Sequence, residues 1–144
     1  MPSLADLHRA VGAALAAGRV GTPVFVRYLL LVPEKQEAMA ARLAELASVV
    51  SDWIGQPPAR IYAPASPQGN SATVTLQYRT GATAVVSVGP GDGGADVMVL
   101  GNRGALYHEL AGGATYEVPP AKVDPQRAAL IARALATARP EAVP

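Results

Sequence analysis

The most recognisable chemical pattern in the chain is the glycine-rich run at residues 89–94, which reads GPGDGG. It spells G-x-G-x-x-G, the pattern that holds a pyrophosphate against the free N–H groups of a helix N-terminus in dinucleotide-binding proteins. Here the next residues, 95–100, are mostly apolar and predict a strand, so no helix follows the glycines. We therefore interpret this run as a flexible hairpin connection and not as a cofactor site.

Few other side chains offer chemistry. The chain has no cysteine and only two histidines, His8 and His108, predicted on a helix and on a strand. Two separate histidines do not make a metal site without help from carboxylates. Serine, histidine and aspartate all occur, but no G-x-S-x-G nucleophile elbow is present. We expect no metal site, interpret both histidines as structural, and find no positive support for a hydrolase.

The composition narrows the class of protein further. With 144 residues, of which 50% are apolar and 16% charged, the chain is expected to fold as a single domain, residues 1–144. Twelve basic residues nearly balance eleven acidic ones without clustering, which argues against a nucleic-acid partner. No apolar run approaches the roughly 18 residues of a membrane span. The Ala-rich start has Asp6 before any basic residue, so it predicts a folded helix of a cytoplasmic protein and not a signal peptide.

The apolar spacing predicts three helices. The first runs from Ser3, a suitable N-cap, to Gly18, a suitable helix end. The second covers residues 36–54 and carries Trp53, which we expect to anchor the core. The third begins at Asp124 and ends before Pro140.

The strands are predicted from a change of period. Residues 24–32 are almost continuously apolar and predict a central strand, covered on both faces over part of its length. Residues 59–63 can form a short strand. From residue 72 onward the period is two, which predicts a meander of four or five strands that ends near residues 115–118. The expected fold class is therefore α+β, an open and mostly antiparallel sheet with helices packed on one face.

The other face of this sheet is expected to be available for contact with a second copy. It has β-branched residues and a single charge, which favours a symmetric homodimer over plain exposure to solvent. The residues predicted to form it are Thr73, Thr75, Gln77, Arg79, Thr83, Val85 and Ser87.

Four short motifs follow one another along the chain. Residues 18–23 read GRVGTP, a G-x-[IV]-G-x-P turn, and residues 53–63 read WIGQPPARIYA, close to W-x-x-G-x-x-P-x-x-V-x-A. Residues 78–84 place Gly-Ala at a hairpin turn, and residues 99–106 read VLGNRGAL, a V-x-G-x-x-G-x-L turn. In this order and at these intervals the motifs resemble the C-terminal domain of the Gfo/Idh/MocA oxidoreductases, the glucose-fructose oxidoreductase and inositol dehydrogenase group. The resemblance covers nearly the whole chain.

This resemblance implies a large, mostly antiparallel sheet backed by helices, with the exposed face used for oligomer contacts. Members of that family also carry an N-terminal Rossmann domain that binds NAD or NADP, and no part of this sequence corresponds to it. We therefore expect no cofactor on this chain alone, and NAD or NADP only where a partner chain supplies the nucleotide-binding domain.

The resemblance also locates the family's catalytic positions. The family's lysine lies in an E-K-P motif of the Rossmann domain, which the segment around Lys35 only echoes, so this role is not carried over. The family's aspartate, histidine and second aspartate fall near Ala41, Glu45 and Ser48, and the histidine is therefore missing. Glu45 remains as a candidate general base, with a simply solvated carboxylate as the alternative.

Three functions follow as hypotheses. Hydride transfer needs a nicotinamide held against the substrate carbon, so this chain alone is not expected to be a dehydrogenase. The first hypothesis is a non-catalytic, homodimeric binding or assembly module. The alternative is the substrate-domain half of a split oxidoreductase, completed by a separate Rossmann-domain chain that docks on the helical side. A third keeps only a small-molecule pocket between the helices and the sheet edge.

Overall fold

The computed structural model describes residues 3–32, 39–63, 71–110, 131 and 141–142. These residues form two helices, α1 (Leu4–Ala16) and α2 (Met39–Ile54), and seven strands. The strands are β1 (Pro23–Val32), β2 (Arg60–Tyr62), β3 (Ala72–Gln77), β4 (Thr83–Pro90), β5 (Ala95–Gly101), β6 (Gly104–Leu110) and β7 (Glu141–Ala142). The predicted strand at 115–118 and the predicted third helix lie outside the described residues, except for Ile131, which is helical and buried.

All seven strands belong to one sheet in the order β6-β5-β1-β4-β3-β2-β7. β1 and β4 are parallel, and every other neighbouring pair is antiparallel. The predictions of an open, mostly antiparallel sheet of the α+β class and of a central strand at 24–32 are confirmed. None of the helices within the described part of the chain has the length and apolar character needed to cross a membrane.

The predicted continuous meander is wrong. The hairpins β3-β4 and β5-β6 both form, but β1 lies between them and pairs with β4 on one side and β5 on the other. The physical reason is that alternation of period two identifies strands and their faces, but it does not say which edges meet. The most apolar strand takes the place where both of its edges are hydrogen-bonded.

The glycine-rich run is consequently a crossover and not the predicted hairpin connection. It carries the chain from β4 across the end of β1 to β5, and the N–H of Gly91 donates to the carbonyl of Val32 at 3.1 Å. The N–H of Leu31 donates to the carbonyl of Gly94 at 2.9 Å. A side chain on Gly91 would place its Cβ only 2.5 Å from Cβ of Leu31, so the glycine permits a close approach. The strand predicted after the run is present as β5.

Helix α1 begins with a capping box. The Ser3 hydroxyl accepts a hydrogen bond from the N–H of Asp6 at 3.2 Å, and the Asp6 carboxylate accepts one from the N–H of Ser3 at 2.9 Å. Gly18, just beyond the helix, has φ 76°, a left-handed conformation that glycine adopts without strain. The predicted limits of α1 are therefore confirmed to within two residues, and α2 ends at the predicted Ile54.

The core lies between the helices and one face of the sheet. The side chains that line it alternate along the strands with exposed or half-buried ones. The fully buried residues include Leu4 and Val11 on α1, Leu43 and Val50 on α2, Val26, Tyr28 and Leu30 on β1, Val74 and Leu76 on β3, Val86 on β4, and Val97 and Val99 on β5. Trp53 packs against this core, as predicted. β1 was expected to be covered on both faces over part of its length; on the face away from the core Arg27 is exposed, whereas Phe25, Leu29 and Leu31 are half-buried.

Two of the four sequence motifs meet in space at one end of the sheet. The N–H of Thr22, in the turn before β1, donates to Oδ1 of Asn102 at 2.8 Å, and the N–H of Asn102 donates to the carbonyl of Thr22 at 3.1 Å. The N–H of Arg103 also donates to the carbonyl of Val20 at 2.9 Å. These backbone contacts leave no space for a side chain at Gly101, where a Cβ atom would clash with the Val20 carbonyl oxygen.

We expect Gly101→Ala to lower the free energy of unfolding by about 1–3 kcal/mol, because the added methyl group forces the two turns apart. Urea denaturation followed by circular dichroism measures this change. Gly89→Ala is the matched control, since its nearest neighbouring atoms lie 3.7 and 3.8 Å from the new Cβ, an ordinary contact distance. Equal losses in the two variants would contradict the proposed clash.

Candidate functional site

The face of the sheet turned away from the helices carries six of the seven predicted contact residues. β3 and β4 place Thr73 beside Ser87, Thr75 beside Val85 and Gln77 beside Thr83. All six are half-buried or exposed. The seventh residue, Arg79, was predicted to lie on the same face of the strand, and this prediction is wrong.

Arg79 lies in the turn between β3 and β4. β3 ends at Gln77, the N–H of Tyr78 donates to the carbonyl of Ala82 at 2.9 Å, and the N–H of Gly81 donates to the carbonyl of Tyr78 at 3.0 Å. The turn therefore begins before Arg79 and removes its backbone from the strand. Alternation alone did not indicate where the strand stops.

This open face is larger than the sequence indicated, because β1, β5, β6 and β2 contribute to it as well. The registers align Arg27 on β1 with Val85 on one side and with Met98 and Tyr107 on the other. The further residues of the face are Phe25, Leu29 and Leu31 on β1, Asp96 and Leu100 on β5, Ala105 and Glu109 on β6, and Arg60 and Tyr62 on β2. The sequence prediction took this face only from residues 73–87, and β1 was expected to be covered on both faces over part of its length. The two-residue period of β5 and β6 was the signal that could have located them.

Polar groups on the open face are hydrogen-bonded to one another across strands. The hydroxyls of Thr73 and Ser87 lie 2.9 Å apart, and the Tyr107 hydroxyl donates to Oδ1 of Asp96 at 3.1 Å. The hydrogen bond to the Asp96 carboxylate raises the pKa of Tyr107. Tyr107 is 55% exposed, so it can contact whatever covers the face.

Glu45, the candidate general base, is bound in an ion pair. Its Oε2 accepts a hydrogen bond from Nη1 of Arg42 at 2.9 Å. The Glu45 side chain is 25% exposed and the Arg42 side chain is 19% exposed. The carboxylate is thus neither a freely solvated group nor one with both oxygens open to a substrate proton. Of the other positions implied by the resemblance, Ala41 is exposed, and the Ser48 hydroxyl donates to the carbonyl of Ala44 at 3.1 Å.

A partly buried cluster of His8, Tyr28 and Trp53 joins α1, β1 and α2. Nε2 of His8 lies 2.7 Å from the hydroxyl of Tyr28. The rings of Tyr28 and Trp53 are stacked with centroids 6.0 Å apart, and the His8 ring meets both edge-on at 5.7 and 5.8 Å. Burial lowers the pKa of His8 to about 4, because the charged imidazolium is poorly solvated there. His8 is therefore neutral at neutral pH and joins α1 to the sheet, which agrees with its interpretation as structural.

A shallow cavity of about 330 Å³ lies at the end of α2. It is lined by Ser51, Asp52, Gly55, Gln56 and Pro57. The Ser51 hydroxyl is occupied by the hydroxyl of Tyr78 at 2.9 Å, and Nε2 of Gln56 donates to Oγ1 of Thr80 at 2.9 Å. In the part of the chain that the structure describes, no group of three or more histidine, aspartate or glutamate side chains could hold a metal ion.

Comparison with solved structures finds the same fold in dehydrogenases. A putative myo-inositol dehydrogenase from Sinorhizobium meliloti 1021 aligns with a TM-score of 0.69 and 18% identity, over 95% of this chain and 62% of that one. The WlbA dehydrogenase from Bordetella pertussis, solved in complex with NADH and UDP-GlcNAcA, aligns with a TM-score of 0.63 and 16% identity, over 94% and 59%. A probable dehydrogenase from Thermotoga maritima aligns with a TM-score of 0.62 and 15% identity, over 75% and 39%.

These similarities establish a shared fold with inositol and sugar dehydrogenases. The chain covers less than two thirds of each of these three enzymes. No protein-family model matches the sequence, and no curated protein matches it either.

The burial of His8 makes the stability of the fold depend on pH. Its folded-state pKa of about 4 lies below the 6.5 of an ordinary histidine, so the unfolded chain binds the proton first as the pH falls. The contribution of His8 is complete above about pH 6.5 and is lost progressively toward pH 4, amounting to about 3 kcal/mol. Urea unfolding at a series of pH values between these limits measures the loss.

His8→Gln should remove this part of the pH dependence, whereas His108→Gln should retain it. Trp53, the single tryptophan of the chain, stacks in the same cluster and offers a direct fluorescence readout of the His8 titration. An identical pH dependence in wild type and His8→Gln would contradict the assignment.

Proposed function

We propose that these 144 residues act as a non-catalytic binding or assembly module that forms a homodimer through the open face of its sheet. The module is related to the C-terminal, substrate-binding and oligomerisation domain of the Gfo/Idh/MocA oxidoreductases. The single observation that carries the proposal is the open face itself, which combines exposed aromatic and aliphatic side chains with polar groups already bound to one another. The cytoplasmic location expected from the sequence belongs to the same proposal.

Two features of this face support a protein partner. Tyr62, Leu100 and Tyr107 are 37%, 38% and 55% exposed, so covering them removes apolar surface from water. Burying a hydroxyl costs free energy unless its hydrogen bond is kept, and the Thr73–Ser87 and Tyr107–Asp96 pairs keep theirs within the sheet. A second copy can therefore cover the face without leaving these groups unsatisfied.

The non-catalytic part of the proposal is supported by Glu45. A glutamate stands where the family has its catalytic histidine, and it is held in an ion pair by Arg42. The alternative of a split oxidoreductase rests on the fold shared with dehydrogenases, one of them solved with NADH.

We expect light scattering of the purified chain to give the mass of two chains, with dissociation on dilution. Val85→Lys should shift the equilibrium to the monomer, because it adds a second positive charge beside Arg27 in the middle of the open face. Ala13→Lys adds the same charge on the exposed side of α1 and should leave the dimer intact. A mass equal to one chain for the wild type, at every concentration tested, would overturn the homodimer.

The two functional alternatives separate on nucleotide binding. For the module, we expect titration of the purified chain with NADPH to show no binding by calorimetry. A separately encoded Rossmann-domain chain with an E-K-P motif is the partner that the split oxidoreductase requires. Binding of NADPH that arises only when the two chains are mixed would establish the split enzyme and contradict the module.

A further inference from the structure

An exposed arginine occupies the middle of the open face. Arg27 lies on β1, which has β5 and β6 on one side and β4, β3 and β2 on the other. Its neighbours in register are Val85 on β4 and Met98 on β5. Among the residues that the structure describes, Arg27 makes no ion pair with a carboxylate of its own chain.

Two carboxylates lie on the same face, one row further along the strands. Asp96 on β5 pairs in register with Leu29 on β1, and Glu109 on β6 pairs in register with Asp96. Both carboxylates and Arg27 are near enough to Tyr107 to influence its pKa, Arg27 lowering it and the two carboxylates raising it. The face therefore has a positive centre and a negative flank, and the two are not joined within the chain.

We propose that Arg27 of one copy pairs with Asp96 and Glu109 of a second copy, and that this pairing sets the register of the dimer. The inference rests on the proposed homodimer and identifies its specificity-determining contact. A two-fold axis makes an interface self-complementary, so a positive group and a negative group beside each other on one face meet their opposites on the partner. A two-fold axis that lies in the interface between Arg27 and Asp96 places Arg27 of each copy opposite Asp96 of the other copy. The ion pair then forms twice in one dimer.

The residue types fit the centre of a protein interface. Arginine and tyrosine are enriched among the residues that contribute most to binding, and Arg27 and Tyr107 are register neighbours across β5. The Arg27 guanidinium can bind a carboxylate through two parallel hydrogen bonds, and Asp96 is already oriented by the Tyr107 hydroxyl. The alternative register, in which Arg27 faces Arg27, places like charges together and is disfavoured.

Charge reversal tests this contact. Arg27→Glu breaks both copies of the ion pair, and we expect the dissociation constant measured by sedimentation equilibrium to rise about a hundredfold. The double variant Asp96→Arg, Glu109→Arg should have a similar effect. An equimolar mixture of the two variant chains should restore a dimer, because each chain now carries the complement of the other.

Arg19→Glu is the matched control, since it makes the same change of charge at an exposed turn outside the open face and should leave the dissociation constant unchanged. Circular dichroism of each variant checks that the sheet is retained. A wild-type dimer that is unaffected by Arg27→Glu would overturn the ion pair but leave the homodimer in place. A mixture of folded variants that stays monomeric would also overturn it. A wild-type chain that is monomeric at all concentrations would overturn the homodimer and this contact together.

Discussion

The structure depends on the insertion of β1 between two hairpins that are distant from it in the chain. β1 forms a parallel ladder with β4 and an antiparallel ladder with β5, so it joins the β3-β4 hairpin to the β5-β6 hairpin in one sheet. Without it, the β5-β6 hairpin would be a two-stranded ribbon, which is marginally stable in water, and β4 would be an edge strand of the remaining sheet. Val26, Tyr28, Leu30 and Val32, all at most 1% exposed, supply the apolar side of this strand. The two parts of the sheet are joined by that one pair of ladders.

The same strand also fixes where the helices lie. Tyr28 is fully buried, and its hydroxyl binds His8 on α1 while its ring stacks on Trp53 of α2. One side chain thus orients both helices on the sheet. A hydroxyl in this position must keep a partner, because burying an unpaired polar group costs about 1–3 kcal/mol. The half-buried His8 supplies that partner in its neutral form, because burial of the imidazole lowers its pKa.

Local patterns predicted the elements well and their arrangement less well. The capping residue Ser3, the apolar stripe of α2 and the alternation in β3 and β4 identified those elements nearly to their ends. The pairing of β1 was not predictable in this way, because hydrogen bonding between strands uses backbone groups that all residues share. The glycines at 89–94 illustrate this, since the close approach of Gly91 to Leu31 depends on the crossing of β1. The candidate site was likewise only partly predictable. Alternation placed residues such as Thr73 and Val85 on one face of the sheet. The closeness of Arg27 to Asp96 depends instead on the pairing of β1 with β5, which alternation does not predict.

The two faces of β1 explain why the central strand of a half-apolar chain carries a charged side chain in the middle of the open face. Consecutive residues point to opposite sides of a sheet, so Tyr28 contributes to the core while Arg27, one residue earlier, lies on the open face. Arg27 is exposed although both edges of its strand are hydrogen-bonded, to β4 and to β5, so water still reaches the guanidinium. A carboxylate of a partner that approached this face could form a charge-assisted hydrogen bond with Arg27, which is stronger than a hydrogen bond between neutral groups such as the threonine hydroxyls nearby. The alternation of the strand therefore places in the middle of the open face the side chain on which the proposed dimer contact depends.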